Sequence, residues 1–342
     1  MLRTKLCELV GVKYPIIQGA MGPYTTVKLA TAVSNAGGLG TLTTAGFTFQ
    51  KMGLGRKEVD HKEGLRRIIR EITSSTLPEA VFAVNIPALK YAIPMAKDYL
   101  EVVIEELESN PETRKKLRVI VTSAGDPAVL IKSIKDAGLV CMHIVPTIRH
   151  AKTAEKAGVD FIIASGNEGG GVVSYDYPVT TLVLVRGVVK AVKTPVIAAG
   201  GFCDGAGLVA ALALGAEGIQ MGTRFIATEE CSFHQQYKDS VLKASERDTI
   251  VTIMPYGPCR QLKNEFSLKL QEMMNKGEDT FSYAWEGVKN TLEGNMEKGF
   301  MAAGQVAGLI GEIVPVKELI NRIIKEAEET IENLSSKLWR TP

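Results

Sequence analysis

Thr194-Pro-Val-Ile-Ala-Ala-Gly-Gly-Phe-Cys-Asp-Gly-Ala-Gly-Leu208, followed by Gly215-Ala-Glu-Gly-Ile-Gln-Met-Gly-Thr-Arg-Phe225, decides the fold. It reads as strand, glycine turn, helix, strand, glycine turn. Val196 to Ala199 is a short apolar run of buried-strand length. Gly200 and Gly201 let backbone N–H groups approach a ligand with no Cβ between them. Asp204 is placed to cap the helix running to Leu214. Gly218 to Met221 is the next strand, and Gly222-Thr223-Arg224 sits at its carboxyl end. Two successive glycine turns at strand C-termini form a phosphate cradle, which in a β/α barrel lies after strands seven and eight. Gly205-Ala206-Gly207-Leu208-Val209-Ala210 also fits the dinucleotide pattern G-x-G-x-x-G/A. It lies inside the helix and late in the chain, where a first βαβ unit does not.

Upstream, short apolar runs alternate with helical patterns. The strands are expected at Tyr14 to Gln18, Leu39 to Leu42, Val81 to Asn85, Arg118 to Thr122, Val140 to Val145 and Asp160 to Ala164. Helices are expected at Val27 to Ala36, His61 to Ile72 and Tyr91 to Leu107. With the two strands above, eight strands separated by helices imply parallel pairing, right-handed crossovers and closure into a TIM (β/α)8 barrel. Residues 1–225 are expected to form that barrel. The stretch 226–298 breaks the rhythm; it is polar, rich in Lys, Glu, Gln and Met, and reads as a helical insertion or lid. Residues 299–342 are expected to supply the closing helix and a long amphipathic helix, Val316 to Leu338. That helix carries Leu319, Ile320, Ile323 and Ile324 on one side.

Composition bounds the class. The 342 residues are 45% hydrophobic and 23% charged, which suits a globular enzyme with a large core. A net charge of +2 gives no electrostatic case for nucleic acid or acidic membrane. The 5 cysteines are scattered and never in C-x-x-C, so neither a disulfide framework nor a zinc site is expected. A reducing cytoplasm is the expected home. The N-terminus lacks an apolar core of signal-peptide length, and no run is long enough to span a membrane. The expected partners are a small-molecule substrate and, at most, a second copy of the chain in a homodimer.

In a barrel the site is built by the turns after the strands. Here they are biased to Gly, Ala and Ser, which leaves room for a large flat ligand and exposes backbone donors. Polar side chains able to bond the edge of a heterocycle are few: Gln18, Asn85, Ser123 and Glu168. The further candidates in these turns are Gly19, Ala20, Met21, Ser165, Gly166, Gly169, Ala199, Gly200, Gly201, Met221, Gly222 and Thr223. His143 reads either as facing the barrel interior or as a satisfied core histidine; His150 and His234 read as surface residues.

Pro15-Ile-Ile-Gln-Gly-Ala-Met21, Asn35-Ala-Gly-Gly-Leu-Gly40, Phe82-Ala-Val-Asn85, Ser165-Gly-Asn-Glu-Gly-Gly170, Ile197-Ala-Ala-Gly-Gly201, Gly222-Thr-Arg-Phe225 and Ala303-Gly-Gln305 span nearly the whole chain. Together they resemble the FMN-dependent nitronate monooxygenase (2-nitropropane dioxygenase-like) family. That family includes flavin enoyl-[acyl-carrier-protein] reductases and NADH:quinone reductases. The resemblance implies FMN across the barrel mouth. Ala20 and Met21 would line its ring and Asn85 would bond its edge. Ser165, Gly166 and Glu168 would flank ribityl chain and ring, and Gly200, Gly201, Gly222 and Thr223 would hold the phosphate. Backbone amides and helix N-termini favour such a dianion. NADH or NADPH is the implied electron donor. One departure matters: where the family usually writes Glu-Ala-Gly-Gly-His, this chain has Glu168-Gly-Gly-Gly171 and then Val172. Tyr175 and Asp176 follow closely and are candidate proton donors. A lost general base costs the deprotonation of a carbon acid roughly 10²–10⁴-fold. It leaves untouched hydride transfer or oxidation of a preformed nitronate. The expected function is therefore FMN-dependent oxidation of alkyl nitronates. NAD(P)H-dependent reduction of enoyl thioesters or quinones is the close alternative, and a flavin-binding protein without turnover is the alternative of another class.

Overall fold

The computed structural model describes residues 3–22, 26–47, 60–174 and 178–338. Its main sheet has eight parallel strands: β1 (Ile16–Gln18), β2 (Gly40–Thr43), β3 (Phe82–Pro87), β4 (Leu117–Ser123), β5 (Val140–Val145), β6 (Phe161–Ser165), β8 (Val196–Ala199) and β9 (Ile219–Met221). The two-residue strand β7 (Gly171–Val172) lies outside this sheet. Neighbours run β1-β9-β8-β6-β5-β4-β3-β2. The ends meet: Gln18 N donates to Leu39 O at 2.9 Å and Leu39 N to Ile16 O at 2.9 Å. The sheet is thus a closed barrel, as the alternation of strand and helix requires.

Side chains alternate across each strand, and the two faces carry separate cores. Ile17, Val121, Met142, Phe161, Ile163 and Ile197 pack inside the barrel, with Leu6 and Val10 of the first helix (Lys5–Val10) and Val12 just after it in the same cluster. Ile16, Val84, Ile120, Ile162 and Ala198 face the helical ring. Asp204 caps the Gly205–Ala213 helix by accepting from Gly207 N at 2.8 Å. Gly205 is glycine because a Cβ there would stand 2.4 Å from Ala327 N of the C-terminal helix. Its place in the dinucleotide-like pattern is therefore explained by helix packing. The Val316–Leu338 helix buries Leu319, Ile320, Ile323 and Ile324.

The segment after β9 is mostly helical, as expected, and adds one element that the sequence reading did not include. It carries helices at Gln235–Lys243, Glu265–Lys276 and Phe281–Leu292, but also a hairpin of β10 (Thr249–Met254) and β11 (Gly257–Leu262). β11 pairs with β7, so the hairpin is stitched onto the sixth turn of the barrel. Thr249-Ile-Val-Thr-Ile is rich in β-branched residues, which favour strands. The polar average of the whole segment hides them. Met254, Cys259, Phe266, Trp285 and Phe300 form a core of their own beside this sheet.

Candidate active site

A cavity of about 700 Å³ opens at the carboxyl ends of the barrel strands and runs under the hairpin. Gly19, Ala20, Met21, Asn85, Ser123, Ser165, Gly169, Ala199, Gly200, Gly201, Met221, Gly222 and Thr223 all line it. The strand-end turns thus bring together most of the residues singled out in the sequence.

Two of the glycines are small for the sake of the cavity. A Cβ on Gly222 would meet nothing nearer than Met21 Sδ at 3.9 Å, and one on Gly201 nothing nearer than Glu168 Cβ at 3.7 Å. Space, not packing, lies on their open side. Gly200 and Gly201 also have φ of +90° and +88°, the left-handed region that glycine enters without strain. Gly222 is the N-cap of the short Thr223–Ile226 helix, and its carbonyl accepts from Phe225 N at 2.9 Å and Ile226 N at 3.2 Å, with no side chain capping the turn. The Thr223 hydroxyl accepts from Gly304 N at 2.9 Å, tying the cradle to the segment after the insertion. This cradle fits a phosphate.

Asn85 is buried within β3, two residues before its end, and lines the cavity. Its Nδ2 donates to Val121 O at 2.9 Å and to Ser123 Oγ at 3.2 Å. Those bonds fix the amide plane and leave the Oδ1 acceptor for a donor on a ligand's edge.

Three expected ligand residues face protein instead. Gln18 is fully buried; its Nε2 donates to Gly19 O at 2.7 Å and its Oε1 accepts from Thr41 N at 3.0 Å. Its amide is consumed in joining β1 to β2. Glu168 turns to the start of the Thr181–Ala191 helix, where Oε2 accepts from Thr181 N at 2.8 Å. The Thr181 hydroxyl lies 2.8 Å from both Glu168 Oε2 and Gly200 O. A carboxylate at a helix N-terminus is well placed against its unpaired amides and dipole. Gly166 lies against the same threonine: a Cβ there would stand 2.0 Å from Thr181 Oγ1. Glu168 and Gly166 thus shape the sixth turn rather than the cavity wall.

Position 172 is different. Val172 lines the cavity, is 52% exposed and stands opposite Cys259 in the β7–β11 ladder. An aliphatic side chain therefore faces the space above the glycine turns. Tyr175 and Asp176 lie outside the described residues. His143 is buried with its Nδ1 2.8 Å from Thr122 Oγ1. It lies between Cys141 and Val145, which face the helical ring, so it points away from the barrel interior. It reaches a side branch of the cavity that His150 and Thr153 also line. Burial pushes its pKa down to about 4, so the ring is neutral at pH 7. His150 is exposed, as expected of a surface residue, and sits at the rim of that branch.

The insertion and the residues just after it supply walls that the sequence did not reveal. Phe233, Tyr237, Tyr256, Cys259 and Phe300 close the far side of the cavity. Arg260, buried on β11, donates Nε to Asn167 O at 2.9 Å and Nη1 to Thr249 Oγ1 at 2.9 Å. It fastens the hairpin to the sixth turn. The available signal was Pro255-Tyr256-Gly257 between two strand-forming runs.

Residues 3–326 match the model of the nitronate monooxygenase family. The solved structure of FabK from Thermotoga maritima is similar at 38% identity, covering 98% of this chain and 100% of that one, with a TM-score of 0.83. A nitroalkane oxidase from Streptomyces ansochromogenes is similar at 25% identity, covering 96% and 99% of the two chains, with a TM-score of 0.77. Among curated relatives, "(3aS,4S,5R,7aS)-5-hydroxy-7a-methyl-1-oxo-octahydro-1H-indene-4-carboxyl-CoA dehydrogenase" of Rhodococcus jostii is 32% identical over 98% of each chain. No helix among the described residues is long and apolar enough to cross a membrane. The chain belongs to the nitronate monooxygenase family, whose members are oxidoreductases.

Proposed function

We propose that this protein is an FMN-dependent oxidoreductase that reduces an unsaturated acyl thioester at the expense of NAD(P)H. The observation that carries the cofactor reading is the pair of glycines, Gly201 and Gly222, whose missing side chains leave open cavity at the turns after β8 and β9. Gly200, Gly201, Gly222 and Thr223 would hold the phosphate, Ala20 and Met21 the ring face, and Asn85 Oδ1 a ring N–H. Bound there, FMN supplies two-electron chemistry, taking a hydride from a nicotinamide and giving it to a substrate carbon. The chain's own part is to orient substrate, exclude water and move protons. A cavity of about 700 Å³ sits in the upper half of the ~300–1,000 Å³ range of small-molecule sites, which leaves space for substrate beside the cofactor.

Two lines support a thioester. A relative of similar length is named as a carboxyl-CoA dehydrogenase. The sequence motifs resemble a family that includes flavin enoyl-[acyl-carrier-protein] reductases. Val172 supports the direction: with no base at that position, the site suits chemistry that does not begin by removing a proton from carbon. Oxidation of preformed alkyl nitronates is the second reading, favoured by the family match and by the nitroalkane oxidase. We read 226–298 as a lid on the barrel of 1–225, closed below by 299–342, and the protein as cytoplasmic.

The cofactor test is chromatography of the flavin released on denaturation. FMN at near one per chain is expected. FAD, or no uptake of added flavin, overturns the reading.

A further inference from the structure

The thioester reading leaves a chemical gap, because Val172 cannot give a proton. The described cavity wall offers few replacements. Tyr237 donates its hydroxyl to Ala302 O at 2.8 Å, and Ser123 Oγ accepts from Asn85. Asp126 Oδ1 accepts from Ala128 N at 2.9 Å at a helix start. His143 is held neutral on the helical side of β5.

Tyr256 is otherwise placed. Met254 pairs with Gly257, so Pro255 and Tyr256 form the two-residue tip of the hairpin. The ring is held by Trp285, with centroids 5.9 Å apart, and meets Phe300 edge-on at 6.5 Å. Its side chain lines the cavity and is hydrogen-bonded to the thiol of Cys259. Cys259 is fully buried and faces Val172 across the ladder. Directly opposed residues bring their Cβ atoms to about 4.5–5.5 Å. Phenol and thiol therefore stand beside the position where the resemblance places a histidine. Burial pushes both groups to hold their protons at neutral pH.

We propose that Tyr256 is the proton donor of the reaction, with Cys259 as its hydrogen-bond partner; this rests on the thioester reading above. Hydride from the reduced nicotinamide, passed through the site, forms the new bond at Cβ of the enoyl thioester. The C=C π pair moves onto Cα. Cα then takes the phenolic proton, forming a C–H bond and breaking the O–H bond of Tyr256. The tyrosinate recovers a proton from solvent. In sum the alkene is reduced by two electrons, NAD(P)H is oxidised, and one proton is consumed.

The test uses the flavin-loaded protein and Tyr256→Phe, which keeps the ring and its packing. Crotonyl-N-acetylcysteamine is the substrate probe. Butyryl-N-acetylcysteamine, saturated and unreactive, is the binding probe, read by the fluorescence of Trp285. Expected are unchanged flavin content, unchanged bleaching by NAD(P)H, crotonyl turnover slowed about 100-fold or more, and butyryl binding weakened about tenfold. Cys259→Ala keeps the phenol and should slow turnover by about tenfold or less. Normal turnover and binding in Tyr256→Phe overturns the proposal alone. So does a loss confined to Tyr175→Phe, or a larger loss in Cys259→Ala than in Tyr256→Phe. A wild type that neither binds the butyryl probe nor reduces the crotonyl one overturns the thioester reading and this proposal with it.

Discussion

Gly222→Asp separates charge from shape at the phosphate cradle. Gly222 has φ of −116°, so any residue can stand there without left-handed strain. It is a helix N-cap, where Asp and Asn are both favoured. No atom outside its chain neighbours lies within 3.9 Å of a Cβ built there. The substitution should therefore leave the fold intact and fill cavity. A carboxylate 4 Å from one phosphate charge costs about 1 kcal/mol in bulk water and about 4 kcal/mol at an effective dielectric of ~20. The site is partly enclosed, so FMN affinity should fall by roughly two to three decades. Gly222→Asn adds the same shape without the charge, and Gly222→Ala adds only the Cβ. The assay is titration of deflavinated protein with FMN, followed by quenching of flavin fluorescence. Asn should cost far less than Asp, and Ala should stay within about threefold of wild type. If Asp and Asn bind FMN equally well, the phosphate is not at this cradle.

Asn85→Ala should leave the protein folded but shift the flavin absorption bands and weaken FMN retention by about two- to tenfold; an unchanged spectrum and affinity would assign Asn85 to holding β3 against β4. Val172→His should raise the rate on neutral nitroethane by two decades or more while leaving bleaching by NAD(P)H unchanged. No gain on nitroethane would mean that position 172 does not meet substrate. His143, flanked by Asp126 and His150, carries a folded pKa of about 4 against an ordinary 6.5. Below the unfolded pKa the unfolded chain binds the extra proton, so stability is present above pH ~6.5 and lost as pH falls towards 4. Denaturant titrations should show wild type losing up to about 3 kcal/mol more than His143→Gln across that window; parallel curves would remove His143 from the acid response.

What the sequence disclosed and what it hid divide along physical lines. The Asp204 cap, the apolar runs of β5 and β8 and the glycine turns after β8 and β9 are local signals, and each lies where it was expected. Gly201 and Gly222 were legible because glycine at a strand end has few uses. Orientation was not legible. Gln18 and Glu168 sit in the right turns, yet their polar groups are taken up by Thr41 and by Thr181, 13 residues away in the chain. Nothing local announces such a partner. The hairpin of β10 and β11 was masked by the polar helices around it, so Tyr256, Cys259 and Arg260 escaped notice. Only the pairing of Cys259 with Val172 brings them to the site.

The most direct test of the central claim is an anaerobic spectrum of the purified protein in two additions. NAD(P)H should bleach the bound flavin, and crotonyl-N-acetylcysteamine added next should restore the oxidised bands without oxygen. A flavin that NAD(P)H cannot bleach, or that stays reduced until air is admitted, would contradict the account.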